Sequence, residues 1–290
     1  MTKAFLGLPA PAKLNLFLHV TGRRPDGKHL LQSAFVLIDL CDTIDVTLRE
    51  DGAVVRTGDV VGEVEKDLCV RAARALQEAT GVRLGAEIRL EKRIPSQAGM
   101  GGGSSDAATV LLALNQLWGL GLGRAELMRI GLTLGADVPF FLFGQNAWAE
   151  GIGEELRPLS LPPSHFLVVW PGRGLSTAEI FSHPSLTRNT KSEKMEVFSD
   201  FVRHHGSPLF GRNDLQAVAE RLEPRVSDAL SRIRRRGFEA RMTGSGSAVF
   251  ALVSDADRAA RDVLSDLPDD WRGFLCRMMA EHPLAAWCTE

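Results

Sequence analysis

The stretch PSQAGMGGGSSDAA, Pro95 to Ala108, holds four glycines in five positions and then two serines. Glycine loses the most backbone freedom on folding, so a run of it marks a place where something approaches the backbone closely. Pro95, Ser96, Gln97 and Ala98 lead in, and Gly99, Met100, Gly101, Gly102 and Gly103 form the turn. Ser104 and Ser105 add hydroxyls that can cap a helix, touch a phosphate or help hold Mg²⁺. Bare N–H groups at a helix start, with about half a positive charge from the helix dipole, bind anions. Two familiar phosphate loops do not fit. Walker A needs Lys-Ser/Thr after its last glycine, and Ser104 follows Gly103; the dinucleotide fingerprint from Gly99 would need glycine where Ser104 stands. A flexible Gly/Ser linker is the plainer alternative, but a linker would not run straight into a helix-favouring segment.

Two further places carry polar groups in unusual settings. In PAKLNLFLHV, Ala12, Leu14, Leu16, Leu18 and Val20 alternate with Lys13, Asn15, Phe17 and His19. That is a strand pattern, and it sets Lys13 beside Asn15 on a polar face. In GADVPFFLFG a single acid, Asp137, precedes a compact apolar run. An acid in that place is often only a helix cap.

The elements that must position these groups follow from the pattern. PDG at Pro25–Gly27 is a turn, and SAFVLIDLCDTIDVTL reads as strand. KDLCVRAARALQEATG is helical, with Gly81 as its stop; GAEIRLEKRIP is a strand leading into the glycine turn. After the turn come a buried helix ended by Gly119 and a second helix over GRAELMRIGLTLG. In the second half, HFLVVW, a helical stretch restarted by Pro224, FEARMT, AVFALV, a helix over DADRAARDVLSDL and GFLCRMMA give the order β-α-β-β-α-β. That order is the ferredoxin-like split motif. The proline-rich RPLSLPPS places a boundary near 160, giving domains at 1–160 and 161–290. Residues 183–212 are polar and without periodicity, so they read as loop, with RHHG at 203–206 on its surface.

Composition narrows the classes. The net charge of −2 argues against a nucleic-acid surface or a polybasic membrane patch. No apolar run is long enough to span a bilayer, and the N-terminal stretch lacks the apolar core of a signal peptide. Cys41, Cys69, Cys276 and Cys288 form no C-x-x-C pair and have no histidine cluster near them. They read as reduced thiols of a cytoplasmic protein, not as a zinc site or a disulfide framework.

The glycine loop resembles the phosphate loop of the GHMP kinases, the superfamily of galactose, homoserine, mevalonate and phosphomevalonate kinases. PAKLNLFLHVTGRRPDGKHLLQS, LGADVPFFLFGQNAWAEGIGE and RMTGSGSAVFA are similar to its isoprenoid-precursor branch, whose substrate is a cytidine diphosphate-linked methylerythritol. The likeness runs from about Pro11 to Ala280 with its pieces in order. It implies an α+β, two-domain GHMP fold: a nucleotide-binding α/β half, then a ferredoxin-like half. It implies ATP as phosphoryl donor with Mg²⁺, no metal held by a dedicated protein cluster, a small-molecule substrate and no protein partner. The loop from Pro95 to Ser105 would wrap the ATP phosphates. Asp137 matches the family's general base, and Lys13 matches the lysine that pairs with it and neutralises charge on the moving phosphoryl group. Asn15 would bind substrate. His29 matches a histidine that reads the base edge, and Phe181 an aromatic that stacks on the base. Gly244 and Ser245, in the second glycine-rich turn, would close over phosphates or substrate. The family motif D-G-Y-H stands here as DGKH: Lys28 replaces the tyrosine, and the chain has no tyrosine at all. Lys28 would then lay its stem along the base or reach a substrate phosphate.

Two alternatives stay open at this level. One is a GHMP kinase acting on homoserine or mevalonate; DGKH and Phe181 argue against it. The other is a nucleotide-binding protein without catalysis, which the retained Lys13 and Asp137 count against.

Overall fold

The computed structural model describes residues 3–59, 63–255 and 257–289. Positions 1, 2, 60–62 and 290 of the expected domain ranges, and Ala256 of the expected last helix, lie outside them. The first half runs β1 (Ala4–Arg23), β2 (His29–Arg49), β3 (Val54–Gly58), α1 (Leu68–Thr80), β4 (Gly85–Glu91), α2 (Gly102–Leu117), α3 (Arg124–Leu134), α4 (Val138–Phe143), β5 (Ala147–Glu150) and β6 (Glu155–Pro158). The second runs β7 (His165–Trp170), α5 (Thr177–Ser182), α6 (Met195–His205), α7 (Gln216–Leu222), α8 (Pro224–Arg235), β8 (Ala240–Met242), β9 (Val249–Val253), α9 (Arg258–Ser265) and β10 (Arg272–Met279).

The long strands β1 and β2 pair antiparallel, with Lys13 opposite Leu37 and Asn15 opposite Phe35. On its other edge β2 pairs with β4, which pairs parallel with β3. In the second half the last strand lies beside the first, then the third, then the second, all antiparallel: β10-β7-β9-β8. That is the ferredoxin-like arrangement. β10 also pairs with β2 through Met278↔Ile38 and Met279↔Leu37, so the two halves share one sheet.

Three expectations are corrected. The alternation in β1 suggested one apolar and one polar face, yet both faces are buried: Leu14 and Leu16 are 0% exposed, and Lys13, Asn15 and His19 are 3%, 1% and 6%. The second face meets the C-terminal half, whose Arg241 donates to the Leu16 carbonyl at 2.8 Å. The stretch 183–212 is not all loop, because α6 lies within it. Its buried Phe198 and Val202 are one helical turn apart, and Arg203, His204 and His205 end the helix before the left-handed Gly206. The last helix starts later than the stretch DADRAARDVLSDL suggested: it begins at Arg258, capped by Asp257, whose carboxylate accepts from the Ala260 N–H.

The cores cross the midpoint of the chain. Leu18 and Val20 of β1 pack with Leu167, Val218 and Leu230 of the second half. The C-terminal tail returns to the first half, where Leu284 and Cys288 join the core around α2 and Trp287 packs on Phe5 at 4.6 Å between ring centroids. Among the described residues no helix is long and apolar enough to cross a membrane.

Candidate active site

A cavity of about 640 Å³ lies between the two halves, with Lys13, Asn15, Gly101, Ser104, Asp137, Phe181 and Gly244 among its lining. Its floor is the glycine turn. Gly99 and Gly101 have φ of +75° and +71°, which L side chains rarely adopt. Gly101 precedes α2 and offers no side-chain cap. The first-turn N–H groups, which no helical carbonyl can reach, therefore stand at the cavity. This fits a polyphosphate. Gly102 and Gly103 are helical, so their lack of a side chain is a matter of space. A Cβ on Gly102 would stand 3.0 Å from Ile94 Cγ2 and 3.3 Å from Lys92 Nζ.

Lys13 and Asp137 meet at the mouth of this floor. The Lys13 ammonium is 3.5 Å from Asp137 Oδ2, with the lysine side chain 4% exposed and the aspartate 36%. Lys13 Nζ also donates to Asn15 Oδ1 at 2.5 Å, and Asn15 Nδ2 donates to Ser33 Oγ at 2.9 Å. The two strand neighbours thus orient each other within a buried network. Asp137 occupies the N-cap position of α4, yet its carboxylate caps nothing. The helix-cap reading is set aside, and the carboxylate is left to the cavity.

The remaining expected residues divide. Pro95, Ser96, Gln97, Ala98, Met100, Gly244 and Ser245 line the cavity, and Ser245 Oγ lies 2.8 Å from Thr177 Oγ1. Ser105 does not line it. As the fourth residue of α2, Ser105 is fully buried and its hydroxyl has no partner. Lys28 is exposed in the turn before β2 and does not line the cavity either. His29 stacks on Phe181, with centroids 5.0 Å apart and planes 30° from parallel, so one face of that ring is already covered. Arg188 donates to His29 Nε2 at 3.1 Å. An arginine only donates, so a neutral His29 carries its proton on Nδ1. Burial, then Arg188 and Arg23, lower the His29 pKa and favour that neutral ring. Arg188 is held in turn by the carbonyls of Phe181 and His183 at 3.1 and 2.8 Å. It lies in the stretch without periodicity, where nothing in the sequence singled it out.

A buried trio beneath the glycine turn is likewise not singled out by the sequence. Lys92 donates to Asp106 Oδ2 at 2.8 Å and to Asp42 Oδ2. Asp42 Oδ1 accepts from the Arg93 and Ile94 N–H groups at 2.6 and 2.8 Å. Asp106 Oδ1 has no partner. Burial pushes the Asp106 carboxyl up to about 7, with Lys92 opposing and Asp42 reinforcing. The available signal was an acid opening an apolar helix and a lysine just before the turn.

Among the described residues no cluster of three His, Cys, Asp or Glu could hold a metal alone. The cavity lining includes instead Asp137, Ser104 and Asp106, whose Oδ1 is buried without a partner. That donor set fits Mg²⁺ arriving with phosphates, since Mg²⁺ keeps several waters and takes few protein ligands.

Comparisons with known proteins establish the family. The family model for the GHMP kinases N terminal domain matches residues 67–145, and that for GHMP kinases C terminal matches 202–269. A 4-diphosphocytidyl-2-C-methyl-D-erythritol kinase of Paracidovorax citrulli is 60% identical over 98% of this chain and 97% of its own. The protein of that name from Ralstonia nicotianae is 56% identical, with 97% and 96% covered. A crystal structure of 4-(cytidine 5′-diphospho)-2C-methyl-D-erythritol kinase superposes with a TM-score of 0.78 at 36% identity, covering 95% of this chain and 98% of that one. A homoserine kinase from Cytophaga hutchinsonii, 16% identical with a TM-score of 0.70 over 97% of this chain and 96% of its own, shares the fold.

Proposed function

This chain belongs to the GHMP kinases, and from that premise we infer that it transfers phosphoryl from ATP to 4-diphosphocytidyl-2-C-methyl-D-erythritol, a step in making isoprenoid precursors. The acceptor is the 2-hydroxyl. The observation that carries the chemistry is the Lys13–Asp137 pair, 3.5 Å apart beside an open helix N-terminus. Phosphoryl transfer needs mainly positioning and charge stabilisation. The turn from Pro95 to Gly103, with Ser104, holds the ATP phosphates on backbone N–H groups. Asp137 accepts the proton of the attacking hydroxyl at its carboxylate. Lys13 places its charge between that carboxylate and the transferring group, where a buried cation acts most strongly on developing charge. Asn15 aligns Lys13 and presents its carboxamide to the substrate. Mg²⁺ borne by the nucleotide would neutralise phosphate charge, with Asp137, Ser104 and Asp106 as the nearby protein oxygens.

The cytosine subsite is proposed at the face of Phe181 that His29 leaves free; His29, stacked on the opposite face, would hold that ring in place rather than donate to the base edge. Gly244 and Ser245 approach from the opposite half. Lys28, exposed in its turn, reaches a substrate phosphate rather than stacking. The domains are taken as 1–160 and 161–290, on the proline-rich connection between β6 and β7. A cytoplasmic setting rests on the four free thiols.

The test is an ADP-release assay with 4-diphosphocytidyl-2-C-methyl-D-erythritol, bare methylerythritol phosphate, homoserine and mevalonate as separate acceptors. Turnover is expected only with the cytidine-linked acceptor. Faster turnover of any other, or of none, overturns the assignment.

A further inference from the structure

Thr243 stands where the phosphate loop, the strand carrying Lys13 and the second glycine-rich turn converge, and it is fully buried. Its hydroxyl accepts the Asn15 backbone N–H at 2.9 Å and donates to the Gly99 carbonyl at 3.4 Å. Its own backbone is fixed on both sides: the Thr243 N–H donates to the Ala248 carbonyl at 3.0 Å, and its carbonyl accepts from Gly246 at 2.9 Å. We propose that Thr243 is a positioning residue for phosphoryl transfer, whose hydroxyl fixes the phosphate loop in register with the strand that presents Lys13 and Asn15. The proposal rests on the kinase reading above and adds a residue 228 positions from Asn15 to it.

The loop's carbonyls show why such a link matters. Gln97 O accepts from Leu175 N at 3.2 Å, Ala98 O from Ala248 N at 3.1 Å, and Met100 O from Lys13 N at 3.0 Å. With Gly99 O taken by Thr243, four successive carbonyls turn to protein donors. The N–H groups of the turn are thereby left to the cavity. Three of those four donors come from the C-terminal half, so the phosphate loop does not acquire its shape from its own sequence alone. The contact is close as well as bonded: a Cβ on Gly99 would stand 2.3 Å from Thr243 O and 2.7 Å from Gly246 N.

Thr243 ties this scaffold to the catalytic strand at Asn15, two residues from the direct bond between Met100 O and the Lys13 N–H. A hydroxyl supplies one donor and two acceptor sites, enough to serve Gly99 and Asn15 together. Valine has the same outline and neither function, which leaves a buried N–H and a buried C=O unpaired. The loop would still bind ATP through its N–H groups, but its phosphates would sit less well aligned with the Lys13–Asp137 pair. Misplacement by about 1 Å at a reacting centre can cost on the order of 10²-fold in rate.

The experiment compares wild type, Thr243→Val and Thr243→Ser by steady-state kinetics, ATP affinity by calorimetry and thermal unfolding. The valine variant is expected to lose about tenfold or more in kcat while its Kd for ATP moves less than about threefold. The serine variant is expected to recover kcat to within about threefold of wild type. Unchanged kcat in a destabilised valine variant, or a serine variant as slow as valine, overturns the proposal. Should the valine variant not fold, Thr243→Cys replaces it, because a thiol is a weak donor and acceptor in a side chain of nearly serine's size. Equal kcat for the cysteine and serine variants then overturns it. Wild type in the same assay separates the two readings: no wild-type turnover removes the kinase assignment and this proposal with it, whereas normal wild-type turnover with an unaffected valine variant removes this proposal only.

Discussion

Asp137 begins a helix that it does not cap. A carboxylate that forgoes a cap worth about 1 kcal/mol is available for another task. Its ion-pair partner is Lys13 at 3.5 Å. Asp137→Asn keeps the size and removes the proton acceptor, so kcat is expected to fall about 10²-fold or more with ATP affinity nearly unchanged. Single-turnover kinetics and ATP calorimetry on the variant check both halves of that statement; an unchanged kcat removes Asp137 from the proton transfer. Lys13, Asn15 and Asp137 stood out in the sequence as polar groups set in an apolar pattern, while the roles proposed for them came from the resemblance to the GHMP kinases. Arg188, Asp106 and Thr243 were not. Their roles come from partners far away in the chain: His29 for Arg188, Asp42 for the trio around Lys92, Asn15 and Gly99 for Thr243. A single sequence carries no record of such contacts.

The glycine turn shows how far an element can be read before its surroundings are known. Its place between strand and helix was legible, because β4 alternates and α2 opens an apolar run. Which glycine does what was not, because that depends on the opposing half. Gly99 has φ +75° and would drive a Cβ to 2.3 Å from Thr243 O. Gly103 is helical, and a Cβ there would meet only Leu68 Cδ1 at 3.3 Å. Gly99→Ala is therefore expected to lower the unfolding temperature by several degrees and weaken ATP binding by about 5- to 150-fold, on the scale of about 1–3 kcal/mol of backbone strain and displacement. Gly103→Ala should keep the unfolding temperature, since alanine favours helix and Leu68 can move. Its effect on ATP affinity then reports the space that the phosphates need. Thermal scans and calorimetry on the pair decide it: equal destabilisation by both would show that the turn is packed uniformly. The helix α6 is the opposite case. It buries only Phe198 and Val202, too few apolar positions to mark a helix inside a polar stretch.

On the scale of the whole molecule, two buried titratable groups tie its parts together and respond to pH in opposite senses. His282 anchors the returning tail: its backbone N–H donates to the Gly144 carbonyl at 2.8 Å, and its Nδ1 accepts from the Leu284 N–H at 3.0 Å. Burial lowers its pKa from 6.5 to about 4. The unfolded chain therefore takes up that proton first, and stability is full above pH 6.5 and lost as pH falls through 4. Asp106 behaves conversely. Its pKa is raised from 3.8 to about 7, so its contribution is full below 3.8 and lost as pH rises through 7. Between these limits the two slopes oppose one another, each at about 1.4 kcal/mol for a tenfold change in proton concentration. These two contributions should consequently nearly cancel between pH 6.5 and 5, while the lowered pKa values of His29 and His19 add a further loss of wild-type stability toward the acid end. Asp106→Asn retains an acceptor for Lys92 and deletes one slope; the variant should gain on wild type at pH 7.5 and lose stability more steeply toward pH 5. His282→Asn can still accept from the Leu284 N–H and deletes the other slope; relative to wild type it should gain stability as pH falls over the same range. Urea unfolding of the three proteins at pH 5 and 7.5 makes the comparison. Parallel behaviour of both variants and wild type would show that neither group titrates differently in the folded state, and that the trio beneath the phosphate loop carries its charges as they would stand in water.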